Sequence, residues 1–166
     1  MMLPLSKILV PVDFSDRSLA ILSHAQAIAG RYDAELTLLH VVNPVYSIPA
    51  VGPFGPAVLS VPRSVFDDAN QRLDVFGTDR LQRSRVRRLI YEGDPAEQII
   101  EFAKSEQIQL IILSTHGLGP LRRFLIGSVT AKVLHDAHCP VLTGAHLNPH
   151  PESKPVQFSK ILCAID

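Results

Sequence analysis

Apolar residues fall along this chain in short runs separated by stretches of helical spacing. Lys7-Ile-Leu-Val-Pro-Val12 is rich in β-branched residues and too short for a helix, so it predicts a first strand. Ser15 and Asp16 follow as N-cap candidates, and Leu19, Leu22, Ala25, Ile28 and Ala29 then recur at helical intervals, with Gly30 near the expected helix end. Glu35-Leu-Thr-Leu-Leu-His-Val-Val42 reads as a second, almost continuously apolar strand, the pattern of a strand covered on both faces of a parallel sheet. Pro44, Pro49, Pro53, Pro56 and Pro62, with Gly52 and Gly55, break the periodicity across residues 43–62, which predicts a long surface excursion suited to a lid or a partner contact.

Beyond it the pattern predicts a helix over residues 63–81, a strand over 86–91, and a turn at Gly93-Asp94-Pro95 with Asp94 as cap and Pro95 at the first helical position. A third helix turns Ile99, Ile100 and Ala103 inward, residues 109–114 form a fourth strand, 127–137 a helix, and 140–144 a fifth strand. Strict alternation of strand and helix implies an open five-stranded parallel sheet with right-handed crossovers and helices on both faces. The order 3-2-1-4-5 is expected, with the switch point between strands 1 and 4, where ligands bind beyond the carboxyl ends of the strands. That placement singles out the loop of residues 11–15 and the loop of residues 115–128, where Gly117 and Gly127 allow close approach and Gly127-Ser128-Val129-Thr130 opens a helix whose free N–H groups favour phosphate.

A length of 166 residues fits one ordinary domain, and 46% hydrophobic against 19% charged residues argues for a packed core. The 16 basic residues balance the 16 acidic ones, which leaves no excess to neutralise a nucleic-acid backbone, so no nucleic-acid partner is expected. Arg80, Arg83, Arg85, Arg87 and Arg88 lack interleaved aromatic platforms and are read as a solvated face. Two cysteines are too few for a disulfide framework, and His135, His138 and Cys139 sit where a helix C-terminus favours histidine without a second ligand pair to complete a metal site. No apolar run approaches the roughly 20 residues of a membrane helix, and the N-terminal stretch lacks a signal-peptide pattern, so a cytoplasmic protein without a membrane partner is expected.

Ser114-Thr-His-Gly117, nine residues, then Gly127-Ser128 resembles the nucleotide-binding signature of the universal stress proteins, Gly-x2-Gly-x9-Gly-Ser/Thr, with Ser114 in place of the first glycine. Lys7 to Ser15, His40-Val41-Val42, Glu92-Gly-Asp-Pro-Ala-Glu97 and His138-Cys-Pro-Val-Leu142 extend the resemblance over residues 5–145. The resemblance implies ATP binding with Mg²⁺ or Mn²⁺: Asp13 and its loop near adenine and ribose, the Val41 backbone at the adenine edge, and the glycine motif around ribose and phosphates. Together with the switch-point loops, the nucleotide-binding candidates are Pro11, Val12, Asp13, Val41, Ser114, Thr115, His116, Gly117, Gly127, Ser128, Val129 and Thr130. Arg122 and Arg123 could reach a triphosphate or simply be solvated.

No Gly-x-Ser-x-Gly elbow or paired-carboxylate constellation stands in the expected crevice, so no catalytic residue is assigned. A binding module that signals through conformation or association is the first reading, with a slow ATP hydrolase using His116 and a dimerisation module with an empty crevice as alternatives. Ser159-Lys-Ile-Leu-Cys-Ala-Ile-Asp166 repeats Ser6-Lys-Ile-Leu-Val-Pro-Val-Asp13, which suggests a stress-protein domain over residues 1–145, a linker over 146–157 and the first strand of a second, tandem repeat over 158–166. That strand and the fifth-strand edge are expected to support a homodimer.

Overall fold

The computed structural model describes residues 5–44, 61–82, 84–115 and 126–144. Five strands, β1 (Lys7–Pro11), β2 (Glu35–Val42), β3 (Val86–Glu92), β4 (Leu110–Ser114) and β5 (Val141–Gly144), alternate with α1 (Asp16–Tyr32), α2 (Arg63–Val75), α3 (Pro95–Ser105) and α4 (Ser128–Asp136). All strand pairs are parallel and the order is β3-β2-β1-β4-β5, so the expected open sheet with its switch point between β1 and β4 is present.

Local chemistry starts the helices where the sequence places them. Ser15 Oγ accepts the N–H of Ser18 at the start of α1, and Asp94 accepts the N–H of Glu97 ahead of Pro95 in α3. α1 runs through Gly30 and ends at Asp33, whose φ of 52° closes the helix with an N–H bond to the Ala29 carbonyl. Asp is one of the few non-glycine residues that tolerates this left-handed position, so the glycine is not the terminator.

The sheet carries one core on each face. Ile8, Val10, Leu36, Leu38 and Ile112 pack with Ile21, Leu22 and Leu73 of α1 and α2, while Leu9, Leu39, Val41 and Ile111 pack with Ile99, Phe102 and Val133 of α3 and α4. Alternation along buried strands sends neighbouring residues to opposite cores, which explains the unbroken apolar runs.

Within the arginine run Arg85 and Arg87 are exposed, as a solvated face requires, whereas Arg80 is largely buried and Arg88 half-buried; Arg83 lies outside the described residues. Arg80 donates to the Leu19 carbonyl, with its side chain 13% exposed; Arg85 reaches the Asp33 carbonyl, Arg88 the Leu73 carbonyl, and Arg87 both Glu106 and the ring of Phe102. These arginines clip the edge strand β3 and its entry loop to α1, α2 and α3. Guanidinium donors do this well because each presents several N–H groups in a fixed fork that can reach backbone carbonyls and a carboxylate on the packed helices.

α2 is shorter than expected, stopping at Val75 because the chain turns at Gly77, whose φ is 64°. A Cβ there would collide with Cδ1 of Leu22, a side chain with no exposure. Gly77→Ala therefore combines left-handed strain with overpacking, and should lower the unfolding free energy by about 2–4 kcal/mol, read as a lower denaturant midpoint at unchanged m-value.

Candidate functional site

β1 lies between β2 and β4, and its end determines what opens beside it. Against β2 it pairs through Pro11↔Leu39, with a further bond from Val12 N–H to the Leu39 carbonyl (2.9 Å); against β4 it pairs only over Ile8↔Leu110 and Leu9↔Ile111. Alternation turns Leu9 and Pro11 toward β4, and Pro11 has no N–H to offer. Proline is thus placed where its missing donor ends a ladder, the one position in a central strand where that defect has a use.

Two side chains take the remaining backbone groups. His40 Nδ1 donates to the Val12 carbonyl at 2.8 Å, and Ser18 Oγ accepts the Asp13 N–H at 3.2 Å. A carbonyl can only accept, so the neutral imidazole carries its proton on Nδ1. Bonds to β3 alternate along β2 with bonds to β1, as Leu36 and Val42 on one side and Leu39 on the other show, which turns the N–H and C=O of Val41 toward β1. β1 has ended there, and neither group has a partner among the described residues. The Val41 side chain points the other way, into the α3–α4 core.

Asp13 organises the loop. Its Oδ1 accepts the Ser15 N–H (3.0 Å) and the hydroxyls of Ser15 and Ser18, while Oδ2 has no partner among the described residues. The network holds Phe14 at φ 62°, a strained conformation for an aromatic residue and of the kind that clusters at ligand sites. The Phe14 ring lies against His40 at 4.3 Å between centroids, and Arg72 of α2 covers it at 4.3 Å, a contact worth about 0.5–1 kcal/mol where exposed. Burial lowers the His40 pKa below 6.5, with Arg72 adding to the shift and the Val12 bond and Asp13 opposing it.

Across the switch point, Thr130 is buried and its hydroxyl donates to the Ser114 carbonyl at 2.9 Å, fastening the first turn of α4 to the end of β4. Thr115 lies against the Gly144 carbonyl, and Gly127 N–H bonds to the Thr115 carbonyl at 2.9 Å. Gly127 is the N-cap of α4 and supplies no side chain, nor is there an acid in the first turn. The opening N–H groups of Ser128, Val129 and Thr130 therefore meet no capping side chain among the described residues, and Ser128 is exposed. Such a helix start carries a partial positive charge suited to an anion.

Pro11, Val12, Asp13, Val41, Ser114, Thr115, Gly127, Ser128, Val129 and Thr130 thus flank the β1–β4 opening at the carboxyl edge of the sheet, whereas His116, Gly117, Arg122 and Arg123 lie outside the described residues. So does the segment of residues 160–165 expected to form a strand. His135, weighed above as a ligand, instead contacts the Asp136 carboxylate. Sequence reasoning missed His40, Phe14 and Arg72 as parts of the site. A polar residue inside an otherwise apolar strand was the available sign for His40.

The model of the universal stress protein family matches residues 4–143. A universal stress protein of Methanocaldococcus jannaschii is 34% identical over 138 residues, 82% of this chain and 79% of its own. A universal stress protein from Archaeoglobus fulgidus solved in complex with dAMP is similar in fold at a TM-score of 0.63 and 20% identity, covering 85% of this chain and 98% of its own. Another, in complex with cAMP, gives 0.56 and 23%, covering 87% and 99%.

The two perturbed histidines should titrate on opposite sides of 6.5, His40 below it through burial and His135 above it through Asp136. For His40 the unfolded chain binds the proton more readily. Its contribution to stability is complete above pH 6.5 and declines as pH falls toward its folded-state pKa. Histidine ring titration by NMR checks both directions, and the ¹⁵N shifts should place the neutral His40 proton on Nδ1.

Proposed function

The chain belongs to the universal stress protein family, and on that premise we propose that it binds an adenine nucleotide, ATP together with Mg²⁺ or Mn²⁺, in the opening at the end of β1. The observation that carries this reading is the Val41 backbone, a donor and an acceptor side by side, without a partner among the described residues and facing the open flank. Adenine offers the complement, a ring nitrogen that accepts and an amino group that donates. A planar ligand edge can make both bonds at once, each contributing about 0.5–1.5 kcal/mol net of the water it displaces. Family members holding dAMP and cAMP support an adenine ligand.

The rest of the ligand follows from the same edge. Asp13 Oδ2 is an acceptor suited to a ribose hydroxyl, and the uncapped start of α4 suits the phosphates, with the divalent ion entering as their companion. Ser114 contributes its carbonyl to Thr130, and the strand runs through it in register with Gly144. The position therefore serves as ordinary strand backbone, which is compatible with serine in place of the family's glycine. Occupation of the opening would couple the β1–α1 loop to α4 across the switch point. Such coupling is the proposed basis of a signalling role in the stress response, through conformation or through pairing of two copies along the β5 edge.

Gly127→Asp separates the ligand from the fold because its two effects have opposite signs. Aspartate is a better N-cap than glycine and favours the helix dipole, so the melting temperature should hold or rise, while its charge repels phosphate. Calorimetric titration should show the wild type binding AMP, ADP and Mg-ATP with one site, the variant losing at least tenfold in affinity for the nucleotides and little for adenosine. Phosphate release measured in the same samples distinguishes a binding module, which leaves ATP intact, from a hydrolase. Absence of binding by all three nucleotides at millimolar concentration would overturn the reading.

A further inference from the structure

His40 sits at the point where the β1–β2 ladder could have continued by two rungs. Parallel pairing of Pro11 with Leu39 directs Val12 N–H to the Leu39 carbonyl, and the next rung would run from Val41 N–H to the Val12 carbonyl. That carbonyl is instead held by His40 Nδ1 at 2.8 Å. The rung after it would run from Phe14 N–H to the Val41 carbonyl, but at Phe14 the chain turns away with φ 62°. The Val12 carbonyl thus receives the His40 side chain and not the Val41 N–H, and Phe14 turns away, so among the described residues both backbone groups of Val41 lack the partners that strand geometry offers them.

We infer that His40 is a positioning residue for the ligand site, ending the β1–β2 ladder one rung early so that the Val41 N–H and C=O stay open to the edge of a bound base. This rests on the adenine reading above for the identity of the ligand, and on the ladder geometry alone for the role of His40. The alternative is that His40 only packs. Its ring does contact Phe14 at 4.3 Å, in turn covered by Arg72 and edge-on to Phe76 at 5.5 Å, so ring packing and hydrogen bonding have to be separated by substitution.

Two substitutions divide the side chain into its parts. His40→Phe keeps a ring against Phe14 and removes the donor; His40→Asn removes the ring and keeps an N–H at the same distance from the backbone as Nδ1. Hydrogen exchange followed by NMR reads the ladder without any ligand. In the wild type the Val41 amide should exchange at least tenfold faster than those of Leu39 and Val42, which lie in the ladders. In His40→Phe the freed Val12 carbonyl should accept that amide and slow its exchange at least tenfold, whereas His40→Asn should retain the wild-type rate.

Affinity for AMP, measured by calorimetry, should fall at least tenfold in His40→Phe and stay within threefold in His40→Asn. Added AMP should slow the Val41 amide in the wild type. A Val41 amide already protected in the ligand-free wild type overturns the inference, and does so even if neither variant folds. So does His40→Phe that matches the wild type in exchange, or His40→Asn that behaves like His40→Phe. If the exchange pattern appears as expected and no adenine compound binds, the role of His40 stands and the adenine reading fails.

Discussion

The way β1 stops governs the rest of the carboxyl edge. A central parallel strand has neighbours on both sides and would continue to bond with both as long as its backbone offered donors and acceptors. Here the offer is withdrawn on each flank by a different means. Pro11 has no N–H for β4, His40 occupies the Val12 carbonyl that β2 would use, and Ser18 takes the N–H of Asp13. The neighbouring strands run on past the end of β1, so their backbone faces a flank that β1 no longer fills. Topology places a ligand crevice at the switch point of sheets of this order, and the missing N–H with the two hydrogen bonds decides which backbone groups face it.

The loop that leaves β1 is stiff because its polar groups are consumed locally. Asp13 gathers the hydroxyls of Ser15 and Ser18 around one oxygen, and Ser15 also caps α1, so a single cluster fixes both the loop and the start of the helix. Phe14 pays for this arrangement in backbone strain, offset by its contacts with His40, Phe76 and Arg72. On the opposite side of the cleft α4 is treated differently. It is anchored by Thr130 to the Ser114 carbonyl, and its N-cap is a bare glycine. One wall is satisfied by its own side chains and the other presents N–H groups without a side-chain cap among the described residues, an asymmetry suited to a ligand with a neutral end and an anionic end.

Much of the architecture was legible because buried parallel strands write themselves as unbroken apolar runs and helix starts carry capping residues. Ile8 to Val10, Leu36 to Leu39 and Ile111 to Leu113 are each buried throughout, and Ser15 and Asp94 cap as their positions suggested. Arg85 and Arg87 are exposed as a charged run suggests, but Arg80 is mostly buried against α1, a departure set by a backbone carbonyl that composition does not reveal. Nor could periodicity foretell Phe14, since aromatic residues rarely adopt positive φ and the cause lies in three hydroxyl and carboxylate contacts around it. The place of Pro11 at the end of the β1–β4 pairing is visible only in the strand register, because a motif does not say which neighbour its missing N–H would face. His116 and Gly117, central to the motif, lie outside the described residues, so the motif's first half rests on sequence.

The defect at Pro11 also bears on how such a chain can drift. Nearly any other residue at that position would bring an N–H to the sheet and, with it, the chance of one more rung toward β4. A further rung would tie the end of β1 more closely to β4 and narrow the space between them. A proline at the end of a central strand thus gives up one sheet hydrogen bond and leaves that flank open. The covalent chemistry of a single residue, legible without a structure, decides whether the flank can carry another rung.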